Sequence, residues 1–402
     1  MRVLFVIAAL CCGAVQAGPW EFDASVAVTG DAAPHAFFHL ESAGRKNIAV
    51  SAGWVAVVWE DNRDGVPRCY VALKAPNAAA FAAALPISGR GEAAEPAIAS
   101  LGSGRFAVAW EEAGRVWART VTAQSLGAPR ALGAEAAAQV SLGAAPRGAL
   151  LAVWSEKGER FWRIRLARLT VDARGGIRSG QAIVVDATAA GDQSYPSVAA
   201  ASADTAVAAW EDRRAGHTRL LYAVSAKGGA RFAPPRQLNE SIWRGQSLDF
   251  GRGTGVMRVA LASHGRDGVA AVWADKRDFQ SGYDVYGGFA RGPALRFGPN
   301  EKVQDQFGDN IAQWHPAIAS NAQGRAAAVW DDDRDGSPDV WLSWRDKDGW
   351  SDDLAPPGAS GPGVQSDPSV AMDEAGNLHL AWLEKADLNS PSRIRYVFGR
   401  LK

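Results

Sequence analysis

Acid and arginine recur together in one kind of loop: EDNRDG at residues 60–65, EDRRAG at 211–216, ADKRD at 274–278 and DDDRDG at 331–336. Each places a carboxylate two residues before an arginine, as Asp61/Arg63, Asp212/Arg214, Asp275/Arg277 and Asp332/Arg334. Paired acceptors beside a forked cationic donor are what a polar or sugar ligand requires. Recurrence also favours a structural reading. Catalytic residues usually occur once, whereas a carboxylate that accepts turn N–H bonds, with an arginine fastening a neighbouring loop, suits every copy of a repeat. Tyr195, Trp314 and His315 lie outside the repeated pattern and are the better candidates for ligand contact. The candidate ligand-binding set is therefore Tyr195, Trp314 and His315, with Arg63, Arg214, Arg277 and Arg334.

One loop offers a second chemistry. Asp331, Asp333, Asp335 and Asp339 follow the spacing D-x-D-x-D-G-x-x-D, an oxygen-rich loop able to wrap a hard cation such as calcium. Its twelfth position is Leu342 rather than Glu, so it is not an EF-hand. No cofactor is required by any motif: there is no phosphate loop, no HExxH and no GxSxG elbow.

The elements that must position these groups come from a long repeat. The loops follow tryptophans at 59, 110, 154, 210, 273, 330 and 382, separated by 51, 44, 56, 63, 57 and 52 residues. A period of this size means a propeller or a solenoid. Within each repeat the signals keep one order. Pro96, Pro196, Pro316 and Pro368 each open a short strand 14 residues before the tryptophan, where a missing N–H is tolerated. A turn follows, with glycine at 53, 104, 148, 324 and 376. The Ala/Val run that ends in the tryptophan is apolar on both faces, as a strand buried between two sheets should be. An alternating third strand lies beyond the acidic loop (residues 68–74, 115–121, 219–225 and 339–344), and a fourth precedes the next repeat (82–88, 128–133, 182–187, 236–241, 301–306 and, weakly, 352–355). Four strands per repeat make a propeller blade. The expectation is an all-β, seven-bladed β-propeller with four antiparallel strands per blade. Repeat seven ends with its third strand (393–401), and residues 25–29 are expected to pair with it as the outer strand and close the ring.

Lys plus Arg equal Asp plus Glu at 43 each, with no run of like charge, so neither nucleic acid nor an anionic membrane is indicated. Residues 1–17 read as a signal peptide: Arg2, an apolar core at 3–10 and VQA before Gly18. A periplasmic or secreted protein follows, with residues 18–402 as one propeller domain. Cys11 and Cys12 raise a lipoprotein alternative, which Ala8-Ala9-Leu10 fits poorly. Removal of the signal leaves Cys69 alone, hence no internal disulfide. No later stretch is long enough to span a bilayer, and a monomer is expected. Two long linkers, residues 31–46 with His35 and His39 and residues 239–257 with Trp243 and GRGTG, are further places for function.

Two more runs carry a resemblance. SAKGGARF (225–232), followed by APPRQL, looks like an Asp box with Lys227 at the Asp position, and SWRDKDGW (343–350) like a second, degraded copy. With the W-x-D-x-R-x-G loops, they resemble the exported bacterial propellers of the sialidase superfamily with BNR or Asp-box repeats. The resemblance implies a propeller. For enzymes of that group it implies an arginine cluster, a Tyr–Glu nucleophile pair and an Asp acid/base. This sequence has no Arg-Ile-Pro segment near residue 18, and seven repeats replace six blades. The expected function is thus an exported, non-catalytic propeller that binds a glycan, peptide or protein partner on the face bearing the acidic loops. The alternative is a sialidase-like glycoside hydrolase using the same face. A calcium-binding loop makes its own prediction: calcium raises the melting temperature, and Asp333→Ala abolishes the rise.

Overall fold

The computed structural model describes residues 18–30, 36–40, 44–226, 229–240, 255–277 and 282–402. The signal-peptide segment with Cys11 and Cys12, His35, Lys227, Trp243 and residues 251–254 of the Gly-Arg run lie outside the described residues.

Seven antiparallel sheets follow one another around an axis, giving a seven-bladed β-propeller of the all-β class. In each blade the Ala/Val run is the second strand. Examples are Trp54–Asp61, Ala206–Asp212 and Ala326–Asp332, where nearly every residue is buried. Burial on both faces follows from blade-on-blade stacking, and it explains why this strand lacks the alternation of a half-exposed one. Seven apolar clusters form, one for each contact between neighbouring blades. The repeat tryptophan of each blade packs against the blade before it. Trp154 of blade three lies among Ala107, Ala109 and Val116 of blade two, and Trp59 of blade one lies among Ala381, Ile394 and Tyr396 of blade seven. All seven of these indoles are essentially inaccessible.

The ring closes as its sequence predicts, with a longer zipper. Trp20–Phe22 pairs antiparallel with Arg393–Leu401 through Trp20↔Leu401 to Phe22↔Gly399, and Val26–Ala27 pairs through Val26↔Tyr396. Closure removes two open edges. The outer strands are shorter than expected. Those of blades one and two are Leu85–Pro86 and Arg130–Ala131, and those of blades three to five are split in two, as in Arg231–Phe232 and Arg236–Gln237. Prolines between the pieces, such as Pro235, cannot donate to the ladder.

Blade six departs further from four strands. Beside its three strands the fourth is reduced to the bridges Leu342↔Leu354 and Arg345↔Trp350. The Asp353 N–H donates to Asp305 Oδ2 at 3.1 Å and its own carboxylate accepts from Arg334 at 2.8 Å, which turns this segment toward blade five instead of along the ladder.

A repeated clasp ties each indole to its blade. The Trp N–H donates to the carboxylate two residues on: Asp61, Glu112, Glu156, Asp212, Asp275 and Asp332, at 2.8–3.2 Å. Blade seven is the exception. Glu384 pairs with Arg393 at 3.1 Å, and the Trp382 N–H has no hydrogen-bond partner among the described residues. Trp330→Phe is therefore expected to cost about 1–2 kcal/mol more than Trp382→Phe, because only the first leaves a buried carboxylate short of a donor. Denaturant midpoints of the two variants measure the difference, and equal losses would refute the clasp.

Candidate functional site

The acidic loops leave the second strands on the same face where the innermost strands begin, because the two strands pair antiparallel, as in Ser194↔Glu211 and Trp314↔Asp331. That face has two tiers.

The lower tier repeats. Four of the six clasp carboxylates, the aspartates, also receive the arginine two residues on: Arg63 Nε to Asp61 at 2.6 Å, Arg214 Nε to Asp212 at 2.7 Å, Arg277 Nη2 to Asp275 at 2.5 Å and Arg334 Nε to Asp332 at 2.8 Å. The guanidinium then lies over an aromatic ring of the third strand, Tyr70 at 4.6 Å, Tyr286 at 3.9 Å or Trp341 at 4.2 Å. Arg214 instead reaches Asp186. The Arg277 and Arg334 side chains keep only 3% and 7% of their surface. The four arginines thus occupy equivalent places, each held by its own blade, and they do not converge.

The upper tier does not repeat. Near the start of six innermost strands the ladder slips at a β-bulge, and the bulged residue has positive φ: Glu95 at 59°, Gln139 at 60°, Tyr195 at 49°, Arg258 at 58°, His315 at 51° and Asp367 at 53°. Arg45 takes the corresponding place in blade one. None of the six is glycine, so each left-handed backbone carries a strain cost of order 1–3 kcal/mol. The fold supplies compensation across blade boundaries. The Gln139 N–H donates to Glu111 of blade two, the Arg258 N–H to Glu211 of blade four at 3.0 Å, and the Asp367 N–H to Asp331 of blade six at 3.1 Å. Blade three has Ser155 where those acids stand. There the Gln139 amide oxygen substitutes, accepting the Tyr195 N–H and the Ser155 hydroxyl, both at 2.8 Å.

Seven side chains of five chemical kinds therefore ring the axial mouth, and six of them fall into three pairs. Arg45 pairs with Glu95 beside Glu111. Burial is the main cause that raises the Glu111 pKa, and the Arg45 charge opposes it. The Arg258 guanidinium lies 3.4 Å from the Tyr195 ring centre and reaches Glu211 at 3.4 Å. Glu211 is likewise raised by burial. His315 bridges two acids, with Nδ1 2.7 Å from Asp331 and Nε2 3.4 Å from Asp367. Desolvation pushes Asp331 up to about 6 despite the imidazole beside it. Trp314, 40% exposed, meets the Tyr283 ring at 5.3 Å.

Tyr195, Trp314 and His315 thus fall on this mouth, Tyr195 and His315 at equivalent bulges. Arg45, Glu95, Gln139, Arg258 and Asp367 were not singled out by sequence, although a signal exists. The bulged residue lies fifteen positions before the repeat tryptophan in six repeats, and its type changes every time while its neighbours repeat. The aspartates of the calcium-like loop diverge. Asp331 faces His315, Asp339 accepts the Gly361 N–H at 3.0 Å, and Asp333 and Asp335 are exposed. Among the described residues no three His, Cys, Asp or Glu side chains gather to hold a metal ion. None of the described helices is long and apolar enough to cross a membrane.

No family model and no curated protein matches the chain. Solved structures do. The polysaccharide lyase Uly1 is 10% identical, with 90% of this chain and 91% of that one covered and a TM-score of 0.54. The β-propeller domain of the Trilobed protease from Pyrococcus furiosus is 10% identical over 89% and 94%, with a TM-score of 0.52. A protein of unknown function from Dyadobacter fermentans is 10% identical over 96% and 100%, also with a TM-score of 0.52. At this identity the likeness is one of fold.

Asp331 generates a pH prediction. Its folded-state pKa stands above the ordinary carboxylate value, so between about pH 4 and 6 the native protein binds a proton that the unfolded chain has released. Stability then falls as pH rises through that window, by up to about 3 kcal/mol, and stays at the lower level above it. Asp331→Asn should flatten this part of the stability–pH curve; an unchanged slope in the variant would remove the assignment.

Proposed function

We propose that this chain is an exported binding module that takes a glycan across the axial mouth, without turning it over. One observation carries the reading: seven equivalent positions hold Arg45, Glu95, Gln139, Tyr195, Arg258, His315 and Asp367, whereas the tier beneath them repeats. Structural need alone would favour one solution copied in each blade. Donors, acceptors, an imidazole and the half-exposed Trp314 beside Tyr283 offer hydroxyl recognition and a stacking platform on one rim. Export rests on residues 1–17. The absence of nucleic acid from the reading rests on the balanced charge.

A sialidase-like hydrolase is the second reading. It has one observation in its favour, since Tyr195 and Glu211 meet on the same guanidinium, that of Arg258. Against it, the Arg258 guanidinium packs on the Tyr195 ring, and Arg63, Arg214, Arg277 and Arg334 are each bound to an aspartate of their own blade.

A glycan array followed by titration of the best ligand tests both. Trp314→Ala and Arg258→Ala are each expected to weaken binding about tenfold or more, while Arg236→Ala, on an outer strand, leaves it unchanged. Hydrolysis of a fluorogenic sialoside that disappears in Tyr195→Phe or Glu211→Gln would replace the binding reading with the hydrolytic one.

A further inference from the structure

Beneath the mouth, the axial channel narrows between the innermost strands and opens again into a void of about 140 Å³ lined by Lys46, Ile98, Leu142, Val370, Ser100 and Ser320, among others. Lys46 also borders the narrow neck above it. The residues at its position in the other six blades are Pro96, Val140, Pro196, Val259, Pro316 and Pro368, every one without charge. A single cation therefore stands where the fold asks six times for a group with no ionisable side chain.

Among the described residues no carboxylate pairs with the Lys46 ammonium, and its neighbour Arg45 is already tied to Glu95. Enclosure by protein pushes Lys46 down to about 8, with desolvation as the cause. Part of its surface stays accessible because the residue faces the void. A desolvated cation without a partner is costly, and such groups are normally found with a counter-ion or a ligand. The void also holds a hydroxyl with capacity to spare. The Ser100 Oγ accepts the Gly102 N–H at 3.2 Å, which leaves its own proton to donate. Ser320, by contrast, is committed: its hydroxyl donates to the Arg325 carbonyl at 2.7 Å and faces His264 Nδ1 at 2.8 Å.

We propose that the axial channel is a binding site for a small organic monoanion, a carboxylate whose charge lies against the Lys46 ammonium and whose short apolar tail lies against Val50, Ala144 and Met372, which line the void and keep part of their surface accessible. The size of the void sets the class. A space of this order accommodates about one six-membered ring, so formate, acetate and butyrate fit and an oligosaccharide does not. The site is distinct from the rim above it, and the proposal stands whether or not a glycan docks there.

Binding would hold Lys46 protonated, so complex formation at pH 8 takes up a proton. Calorimetric titration of the full chain with acetate, in two buffers of different ionisation enthalpy, reads the affinity and the uptake together. The expected uptake is about half a proton per site at pH 8, vanishing toward pH 6.5. Lys46→Met is expected to lower acetate affinity at least tenfold, with Lys46→Gln as a second variant should the first fail to fold. Acetate that does not bind up to about 50 mM, binding with no proton uptake at pH 8, or equal affinity in the lysine variants would each overturn the proposal.

Discussion

Everything in this molecule depends on the burial of seven indoles between sheets. A blade is apolar on both faces, so it is stable only with neighbours on each side, and the seventh contact must be made or two faces stay open. Trp59, wedged among blade-seven residues, makes it. Burying an indole strands its N–H unless an acceptor comes along. The carboxylate two residues on is that acceptor, and the carboxylate in turn needs a cation. The arginine two residues further on supplies it in blades one, four, five and six and lies over a third-strand ring in three of them. The W-x-D-x-R pattern is thus one chain of consequences that starts from a hydrophobic group with a polar edge.

With the lower tier fixed in this way, the upper tier is free to vary. The β-bulges hold their side chains over the axis, and at Gln139, Arg258 and Asp367 the acid of the preceding blade stabilises the strained N–H. The Ser155–Gln139 substitution shows that what matters is an acceptor at that point, not a particular residue. In blades two, four and six scaffold and recognition are separated by a single residue along the second strand: the position after the tryptophan serves the neighbouring bulge, and the next one serves the indole.

The fold was legible in the sequence because its cause is periodic. Tryptophan spacing, the prolines before it and the glycine turns all report local conditions that every blade must meet. Residues 25–29 were recognisable as an outer strand, but the contribution of Trp20–Phe22 was not, because three residues carry no period. The outer strands were overestimated for a related reason. They were placed by their position before the next repeat, which fixes where an outer segment lies but not how many of its residues join the ladder. The mouth was half legible. Tyr195, Trp314 and His315 stood out by being unrepeated, yet Arg258 and Asp367 look like ordinary surface residues until the bulge sets them beside Tyr195 and His315. Positive φ at a non-glycine residue leaves no compositional trace, and the divergence of Asp331, Asp333 and Asp339 depends on which side of a strand each leaves.

The zipper between Trp20–Phe22, Val26–Ala27 and Arg393–Leu401 has a consequence for the order in which the molecule takes shape. The strip made early in synthesis finds its partner only when nearly four hundred residues have followed. Until then six blades can stack on one another, but the ring is an arc with a sticky face at either end. The last pairing is therefore a latch: a nascent or truncated chain is an open crescent exposing the apolar sides of its first and last blades, and protection from self-association arrives all at once with the final strand.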